Sequence, residues 1–551
     1  MKKWEILAKI KKTKVETKEI IGLLLENRGI KTKKEVEEFL NPKLEAVTIE
    51  IVGIDKKQLK KAIARIELAI KNKEQIVVFG DYDVDGIGGT AILWETLNLI
   101  GAKVMPYIPH RIDEGYGLSI KGIENVKEQY GDLKLIITVD NGIVANKPVD
   151  FANEQGIDVI ITDHHVPSKK LPDAIAIVHT TKLCGTGVAY LLAQEIRNEQ
   201  NDHLELVALA TIADLVPLKG ANRTLLKFGL EQLKKTNRIG ILELLKEAGL
   251  AKQSLGVYEI GHMIAPRLNA SGRLESAMDS LRLICTTSQK RAEELAREIG
   301  LTNKERQQLT IEATKHAIEL VKNRKELEDL LVVVHESYQQ GVIGLVAGKL
   351  VEEFYRPAIV ISKGEKFSKA SARSVRGFDI IEFIRTVSEF LVDAGGHPMA
   401  AGFTVETAKI PMLEKALRNK LGVLLDGDIL KRKLKIDCEI ELSLIDGIFY
   451  KALQQLAPFG MGNPEPTFLT SGVSVEDMRL VGNEGKHLKL TVGDQRAGTK
   501  LSGIAFGMGE MFAKIKIGDK IDMVYTIDEN EWNGEKRLQL KIRDLKGHKK
   551  S

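Results

Sequence analysis

The sequence predicts a multidomain α/β protein: a domain on a parallel sheet, a long helical connector, a second and smaller α/β domain, and a small closed β-barrel in the last part of the chain. Three observations carry that prediction. Short, uninterrupted apolar runs alternate with helical stretches over residues 56–220, the pattern of strands buried on both faces. The segment from Ser288 to Asn323 is rich in Ala, Glu, Leu, Lys and Arg and holds no proline, which reads as one continuous helix. Residues 432–548 are strand-rich, with turns expected at Gly482-Asn483, Gly493-Asp494 and Asn533-Gly534, and such a series closes most simply as a barrel.

Residues 1–55 read as short helices ending near Asn41-Pro42. From Lys56 to Asn72, Leu59, Ile63, Ile66 and Ile70 recur at helical spacing. Strands of the first sheet are expected at Ile76–Phe79, Leu135–Val139, Val159–Ile161 and Ile175–Val178. Residues 221–327 are mainly helical. Within 328–425, Leu330–Val334 and Ala358–Ile361 read as strands on either side of a helix at Gly344–Phe354.

A chain of 551 residues needs several cores, and its 43% hydrophobic and 28% charged residues are those of an ordinary globular protein. No run approaches eighteen apolar residues, so no membrane span is expected. The basic start, MKKWEILAKIKKTK, lacks the apolar stretch of a signal peptide. Cys184, Cys285 and Cys438 form no zinc pattern, and a reduced cytoplasm is the expected setting. A net charge of +5 permits a polyanionic partner without demanding one. The clusters Lys11-Lys12 and Lys431-Arg432-Lys433 read as solvated faces.

The most informative stretch is Phe79-Gly80-Asp81-Tyr82-Asp83-Val84-Asp85-Gly86, between a predicted strand and a predicted helix. Three aspartates at alternate positions repel one another in an apolar setting unless a cation sits among them. A calcium loop would need a downstream glutamate, and Gly86 is followed by Ile87-Gly88-Gly89-Thr90-Ala91-Ile92 instead. Two further strands end the same way, in Asp140-Asn141-Gly142 and in Asp163-His164-His165, and Asp214 lies in an apolar segment. Alone, Asp140 would be a helix cap and the histidine pair an accident of the surface. Together, parallel strands in register place all three clusters on one rim, where such sheets bind ligands. Asp and His ligands without Cys favour Mn²⁺ or Mg²⁺ over structural zinc. Six or more candidate ligands are too many for one ion, and a pair of ions suits in-line displacement at phosphorus.

These residues resemble the DHH phosphoesterase superfamily, named for the motif that stands here as Asp163-His164-His165. The form D-Y-D-V-D-G is similar to the branch of single-strand-specific 5′→3′ exonucleases; other branches carry a histidine where Phe79 stands, and Asp81 appears instead. Further similarity lies in Thr211–Asp214, Ala265–Arg273, Ser371–Ser374, Gly395-Gly396-His397 and Pro458–Pro466. The resemblance implies a DHH domain over 56–220, a DHHA1 domain over 328–425 and an oligonucleotide-binding (OB) barrel over 432–548. It implies metal ligands at Asp81, Asp83, Asp85, Asp140, His164 and Asp214, with Asp140 as the bridge, and catalytic or supporting roles for Asp163, His165 and His397. A terminal-phosphate pocket would involve Ser371 and Arg373, with Arg111. Gly395 and Gly396 join the substrate site, as do Arg267, Asn269 and Arg273, for which an inter-domain hydrogen-bond network is the competing reading.

The implied activity is degradation of single-stranded DNA to 5′-mononucleotides in recombination and repair, with single-strand-binding protein and a RecQ-type helicase as partners. ATP is not expected, because no GxxxxGK[ST] loop is present. Aromatics are sparse in the barrel, so its grip on a strand is expected to be mainly electrostatic. Two alternatives are a phosphodiesterase for dinucleotides or very short RNA, which would not need a terminal barrel, and a non-catalytic replication scaffold of the Cdc45 type, which would not need a full ligand set.

Overall fold

The structure, a computed structural model, describes residues 2–9, 16–111, 113–197, 202–425, 427–494, 498–532 and 535–548. The Lys11-Lys12 cluster and the Asn533-Gly534 turn lie outside the described residues. The chain forms two compact units, one of residues 47–216 and 225–432, the other of residues 1–46, 217–224 and 433–551.

In the first unit, strands β1 (Gln75–Phe79), β2 (Val104–Tyr107), β3 (Leu133–Val139), β4 (Asp158–Asp163) and β5 (Ala176–His179) form a parallel sheet in the order β2-β1-β3-β4-β5. The apolar runs Ile76–Phe79, Leu135–Val139 and Val159–Ile161 are fully buried. β2 went unpredicted. It is a four-residue edge strand containing Pro106, and a proline without an N–H is tolerated only at an edge. Helices α1 (Val84–Leu99), α2 (Gly185–Arg197) and α3 (Leu204–Ala213) pack together beside the sheet. Helix α4 (Ala265–Leu274) leads to α5 (Gln289–Lys322), a single 34-residue helix whose N-cap is Ser288 and whose C-cap is Asn323, as composition predicted.

The same unit carries a second sheet: β6 (Leu331–His335), helix α6 (Ile343–Phe354), β7 (Ala358–Ser362), β8 (Phe367–Arg373), β9 (Leu391–His397) and β10 (Ala400–Glu406), in strand order β9-β10-β8-β7-β6. Only β6 and β7 are parallel. The sequence showed β6, α6 and β7. It did not show β8–β10, because Ser368-Lys369-Ala370-Ser371 and Ala394-Gly395-Gly396 carry little of the β-branched bulk that marks strands.

The second unit is a barrel. Strands Phe468–Val481, His487–Asp494, Thr499–Ala505, Glu535–Gly547 and Lys520–Trp532 follow one another, and the first pairs with the last to close the ring. Gly493 stays within the ladder, so the turn expected there begins after Asp494. Residues 1–55 are not purely helical, as the sequence had suggested: Lys3–Ile6 is a strand, paired in parallel with Lys433–Ile436. The helices Thr17–Asn27 and Lys33–Leu40 contribute Ile20, Leu24, Leu25 and Phe39 to the same core as Phe449, Leu453, Phe468 and Tyr525. Arg223 is buried there, stacked 3.8 Å from the Phe39 ring centroid and donating to the Phe39 and Ala457 carbonyls.

Candidate metal centre and anion pocket

Register builds the site. Phe79 pairs with Thr138, and Val139 with Thr162, so the residues that follow β1 and β3, together with the end of β4, emerge side by side. Asp83 caps α1: its Oδ1 accepts from the Asp85 and Gly86 amides at 2.9 and 3.1 Å, which leaves Oδ2 unspent. A Cβ at Gly86 would run into the Asp81 backbone, so glycine lets this loop fold on itself. Asp85 is held from outside its own loop, accepting from Gly185 and Thr186 at the first turn of α2 at 2.6 and 2.7 Å. Asp140 has φ +62°, in the left-handed region that Asp tolerates better than most residues. A Cβ on Gly185 would sit 2.6 Å from the Asp140 Cβ.

Three sets of ligand-capable atoms cluster within 4.8 Å: Asp81, Asp83 and Asp140; Asp140, His164 and His165; Asp85, His164 and Asp214. His164 Nε2 is 3.1 Å from Asp140 Oδ1, 3.6 Å from Asp85 Oδ2 and 3.7 Å from Asp214 Oδ2. Asp140 and His164, each shared by two sets, occupy the centre.

The electrostatics are those of a site built for cations. Burial and the mutual repulsion of the carboxylates raise Asp81 and Asp140 well above the usual carboxylate range. Asp214 is pushed up to about 8 by burial and by the charges of Asp85 and Asp83. Asp81 Oδ1 and Asp140 Oδ1 are buried without a hydrogen-bond partner. Such oxygens cost free energy unless something positive meets them. The donor set, carboxylate and imidazole only, fits a hard divalent ion such as Mn²⁺ or Mg²⁺.

Asp163 does a different job. Its Oδ1 accepts from the His164 and His165 amides at 2.7 and 3.1 Å and meets His165 Nδ1 at 2.8 Å, while Oδ2 accepts from Ile143 N at 2.9 Å. It is spent on orienting the two histidines. Burial would lower the His165 value, but the hydrogen bond and charge of Asp163 prevail and hold it at about 9. His165 Nε2 faces the Tyr116 hydroxyl at 3.1 Å. The His397 ring, from β9, stacks on that of His165 with centroids 5.9 Å apart and planes 17° apart, which brings the second sheet to the metal centre. Partial desolvation and then the charges of the two neighbouring histidines lower His397.

Beside the carboxylates lies a group of cations. Arg111 stacks over Tyr82, 4.9 Å from the ring centroid. Burial and then the charges of Arg111, Arg306 and Arg373 push Arg273 down to about 10. Burial and the charge of Arg111 lower Arg373. Among the described residues, Arg273, Arg306 and Arg373 have no ion-pair partner. Arg373 Nη1 donates to Ser371 Oγ at 3.2 Å, and a Cβ at Gly344, in the first turn of α6, would meet both side chains. Unneutralised guanidinium groups beside a helix N-terminus make an anion pocket.

Not every expected site residue joins. Arg267 is spent on Glu247 (2.7 Å) and the Met263 carbonyl (2.8 Å), a network that lies within residues 221–327 and not between domains. Asn269 Oδ1 accepts from Val84 N at 2.9 Å and so steadies the aspartate loop. Gly395 pairs with Gly402, which pairs with Ser371, leaving a bare strip of sheet beside His397. Sequence reading missed Tyr116, Thr186 and Arg306. Tyr116 had a signal, since it stands between Gly115 and Gly117; Arg306 had none on a helix charged along its length.

Three family profiles match the chain: the DHH family, N-terminal domain, over residues 75–215; the DHHA1 domain over 328–422; and the RecJ OB domain over 436–544. The single-stranded-DNA-specific exonuclease RecJ of Bacillus subtilis is 38% identical over 543 residues, 95% of this chain and 67% of that protein. The crystal structure of Thermus thermophilus RecJ with Mn²⁺ superposes with a TM-score of 0.84 at 29% identity, covering 100% of this chain and 80% of that one. The Mg²⁺ complex of the same protein gives 0.76 at 27% identity, covering 100% and 79%.

Proposed function

The chain belongs to the RecJ family of DHH phosphoesterases, and on that premise we propose that it is a single-stranded-DNA-specific exonuclease that works 5′→3′, releases 5′-mononucleotides and uses two divalent ions, Mn²⁺ or Mg²⁺. One observation carries the reading: carboxylates and imidazoles from four separated segments converge on buried oxygens that have no hydrogen-bond partner among the described residues. Asp81, Asp83 and Asp140 would hold one ion, and Asp85, His164 and Asp214 the other.

When bound, the ions activate water for attack on phosphorus and neutralise charge that builds on the phosphate. The chain's own residues do the rest. Asp163 fixes His165 so that its ring stays between Tyr116 and His397. His397, exposed on its strand, donates a hydrogen bond to a non-bridging oxygen of the scissile phosphate and favours the charge of the transition state. Arg111, Arg273, Ser371 and Arg373 bind the 5′-terminal phosphate, placing the first phosphodiester over the carboxylates. The bare strip at Gly395 and Gly402 lets the sugar approach the sheet. The barrel binds the trailing strand.

A cytoplasmic setting belongs to the same proposal; it is supported by three free cysteines. Among the described residues no helix is long and apolar enough to cross a membrane. Single-strand-binding protein and a RecQ-type helicase are the proposed partners. The test is degradation of single strands labelled at the 5′ or the 3′ end, with and without Mn²⁺. The reading requires mononucleotides from the 5′-labelled end, dependence on the ion, and loss of both in Asp140→Ala. Undiminished turnover in that variant would sink it.

A further inference from the structure

Tyr116 is held at the metal centre from several directions, yet much of its ring is bare. It stands in the turn Gly115-Tyr116-Gly117, whose glycines have φ +86° and +65°. A Cβ at Gly117 would sit 3.1 Å from the Asn141 Cβ, and Leu118 N donates to Asn141 Oδ1 at 3.1 Å. The turn is therefore clamped onto the residue that follows Asp140. The Tyr116 hydroxyl meets His165 Nε2 at 3.1 Å. Its ring lies edge-on to those of His165 and Tyr82, with centroids 6.0 and 6.1 Å away and planes 81° and 80° apart. Fixed by its backbone, its hydroxyl and two neighbouring rings, the residue is still 52% exposed.

The same contacts say what the bare ring faces. Tyr82 stands between Asp81 and Asp83, two members of one ligand set, and Arg111 lies 4.9 Å from its ring centroid. Arg111 in turn is near enough to Arg273 and Arg373 for its charge, after burial, to lower both. A series of contacts, Arg111 to Tyr82 to Tyr116 to His165, thus runs from the arginines to the metal centre. A terminal phosphate among the arginines and a scissile phosphate over the carboxylates are the two ends of one nucleotide. Its sugar spans the distance between them and lies along Tyr116. The bond that breaks is O3′–P, and C2′ is the neighbour of C3′, so a substituent on C2′ is carried close to the centre. On the other flank of His165, His397 stacks and the strand continues back through Gly396 and Gly395 without side chains. Room is left on the glycine side, and a fixed ring closes the tyrosine side.

We propose that Tyr116 is a steric stop for the sugar: its ring packs against C2′ of the 5′-terminal nucleotide, admits deoxyribose and rejects ribose. The inference rests on the nuclease reading above and names the group that makes the activity selective for DNA. Selectivity of this kind comes from a clash with the wrong sugar, not from a bond to the right one. The clamp on Asn141 matters to it, because a ring free to retreat would admit both sugars.

The experiment uses the Mn²⁺-loaded full chain and 5′-phosphorylated single strands that differ only in the first sugar: deoxyribose, ribose or 2′-O-methylribose. A 2′-hydroxyl does not make O3′ a worse leaving group, so slower release reports fit. The wild type is expected to lose at least about tenfold in kcat/KM with ribose, the scale of forcing extra atoms into a packed space, and more with 2′-O-methylribose. Tyr116→Ala is expected to erase the difference between ribose and deoxyribose. Tyr116→Phe keeps the ring but not the contact with His165, and is expected to preserve that difference. Each ratio is read within one protein, so a general fall in rate does not alter it. An alanine variant that keeps the wild-type ratio, or a phenylalanine variant that loses it, overturns the proposal. So does a wild type that treats ribose like deoxyribose or 2′-O-methylribose no worse than ribose, a result that needs no variant. Failure of the wild type to cleave the all-deoxy strand would instead bring down the nuclease reading.

Discussion

At the scale of single residues, the centre is legible from the cost of its charges. Three aspartates in Asp81-Tyr82-Asp83-Val84-Asp85 cannot share a buried loop without a cation, and the structure leaves Asp81 and Asp140 with orphaned oxygens for that reason. Asp140→Asn keeps the left-handed backbone and removes one of the crowded charges. It is expected to raise the thermal midpoint of the metal-free protein at pH 8 while abolishing both turnover and the stabilisation that Mn²⁺ confers. Scanning calorimetry with and without the ion distinguishes these effects. The pH dependence follows with a definite sign. Asp214, at about 8, retains its proton near neutrality, and burial and mutual repulsion raise Asp81 and Asp140 as well, so an entering ion must displace protons. Mn²⁺ affinity should therefore rise from pH 6 to pH 8, and titration calorimetry in buffers of different ionisation heat should register proton release. Thr186 was beyond sequence reading for a plain reason: it acts on Asp85, about a hundred residues away, and no local pattern records such a meeting; the glycines around Tyr116 mark a turn but not its meeting with His165.

At the scale of elements, helices are secured by features that only the fold brings together. Glu95 on α1 accepts from Arg238 Nη1 and Nη2 at 2.7 Å and meets His203 Nε2 at 2.7 Å, and Arg238 also reaches Glu205 on α3 at 2.6 Å. Burial would raise the Glu95 value, but these hydrogen bonds and charges prevail and hold it at about 2. A depressed carboxylate contributes stability above its unfolded value, near 4.5, and that contribution fades as pH falls toward 2. The amount is about 3 kcal/mol at full strength. Urea unfolding at pH 6 and pH 3 should show it, and Glu95→Gln should flatten that interval while weakening the protein at pH 6. Gly185→Ala tests the approach of α2 to Asp140. We expect about 2 kcal/mol of destabilisation from the overpacking and a weaker grip on Mn²⁺, read by urea unfolding and by ion titration. The parallel strands were legible because burial on both faces demands apolar runs. The antiparallel β8–β10 were not, since their backbone ladder is carried by glycine, serine and alanine.

At the scale of the whole molecule, the division of the chain is not a simple succession of segments. Local patterns gave the order of sheets, connector and barrel, but could not show that residues 1–46 belong with residues 433–551, because only tertiary packing joins them. Removing residues 1–46 is expected to strip Phe449, Leu453 and Phe468 of apolar cover and to erase the cooperative unfolding of the barrel. Mn²⁺-dependent stabilisation of residues 47–216 and 225–432 should survive, and heating with and without the ion checks both halves of that expectation.

The pairing of Lys3–Ile6 with Lys433–Ile436 also bears on how the protein is made. Residues 3–6 must wait for a partner translated more than 400 residues later. Throughout that interval Ile20, Leu24 and Phe39 lack the partners they have in the finished core, so the growing chain exposes a sticky segment until residues 438–545 are made, and chaperone cover during translation is part of what this architecture demands.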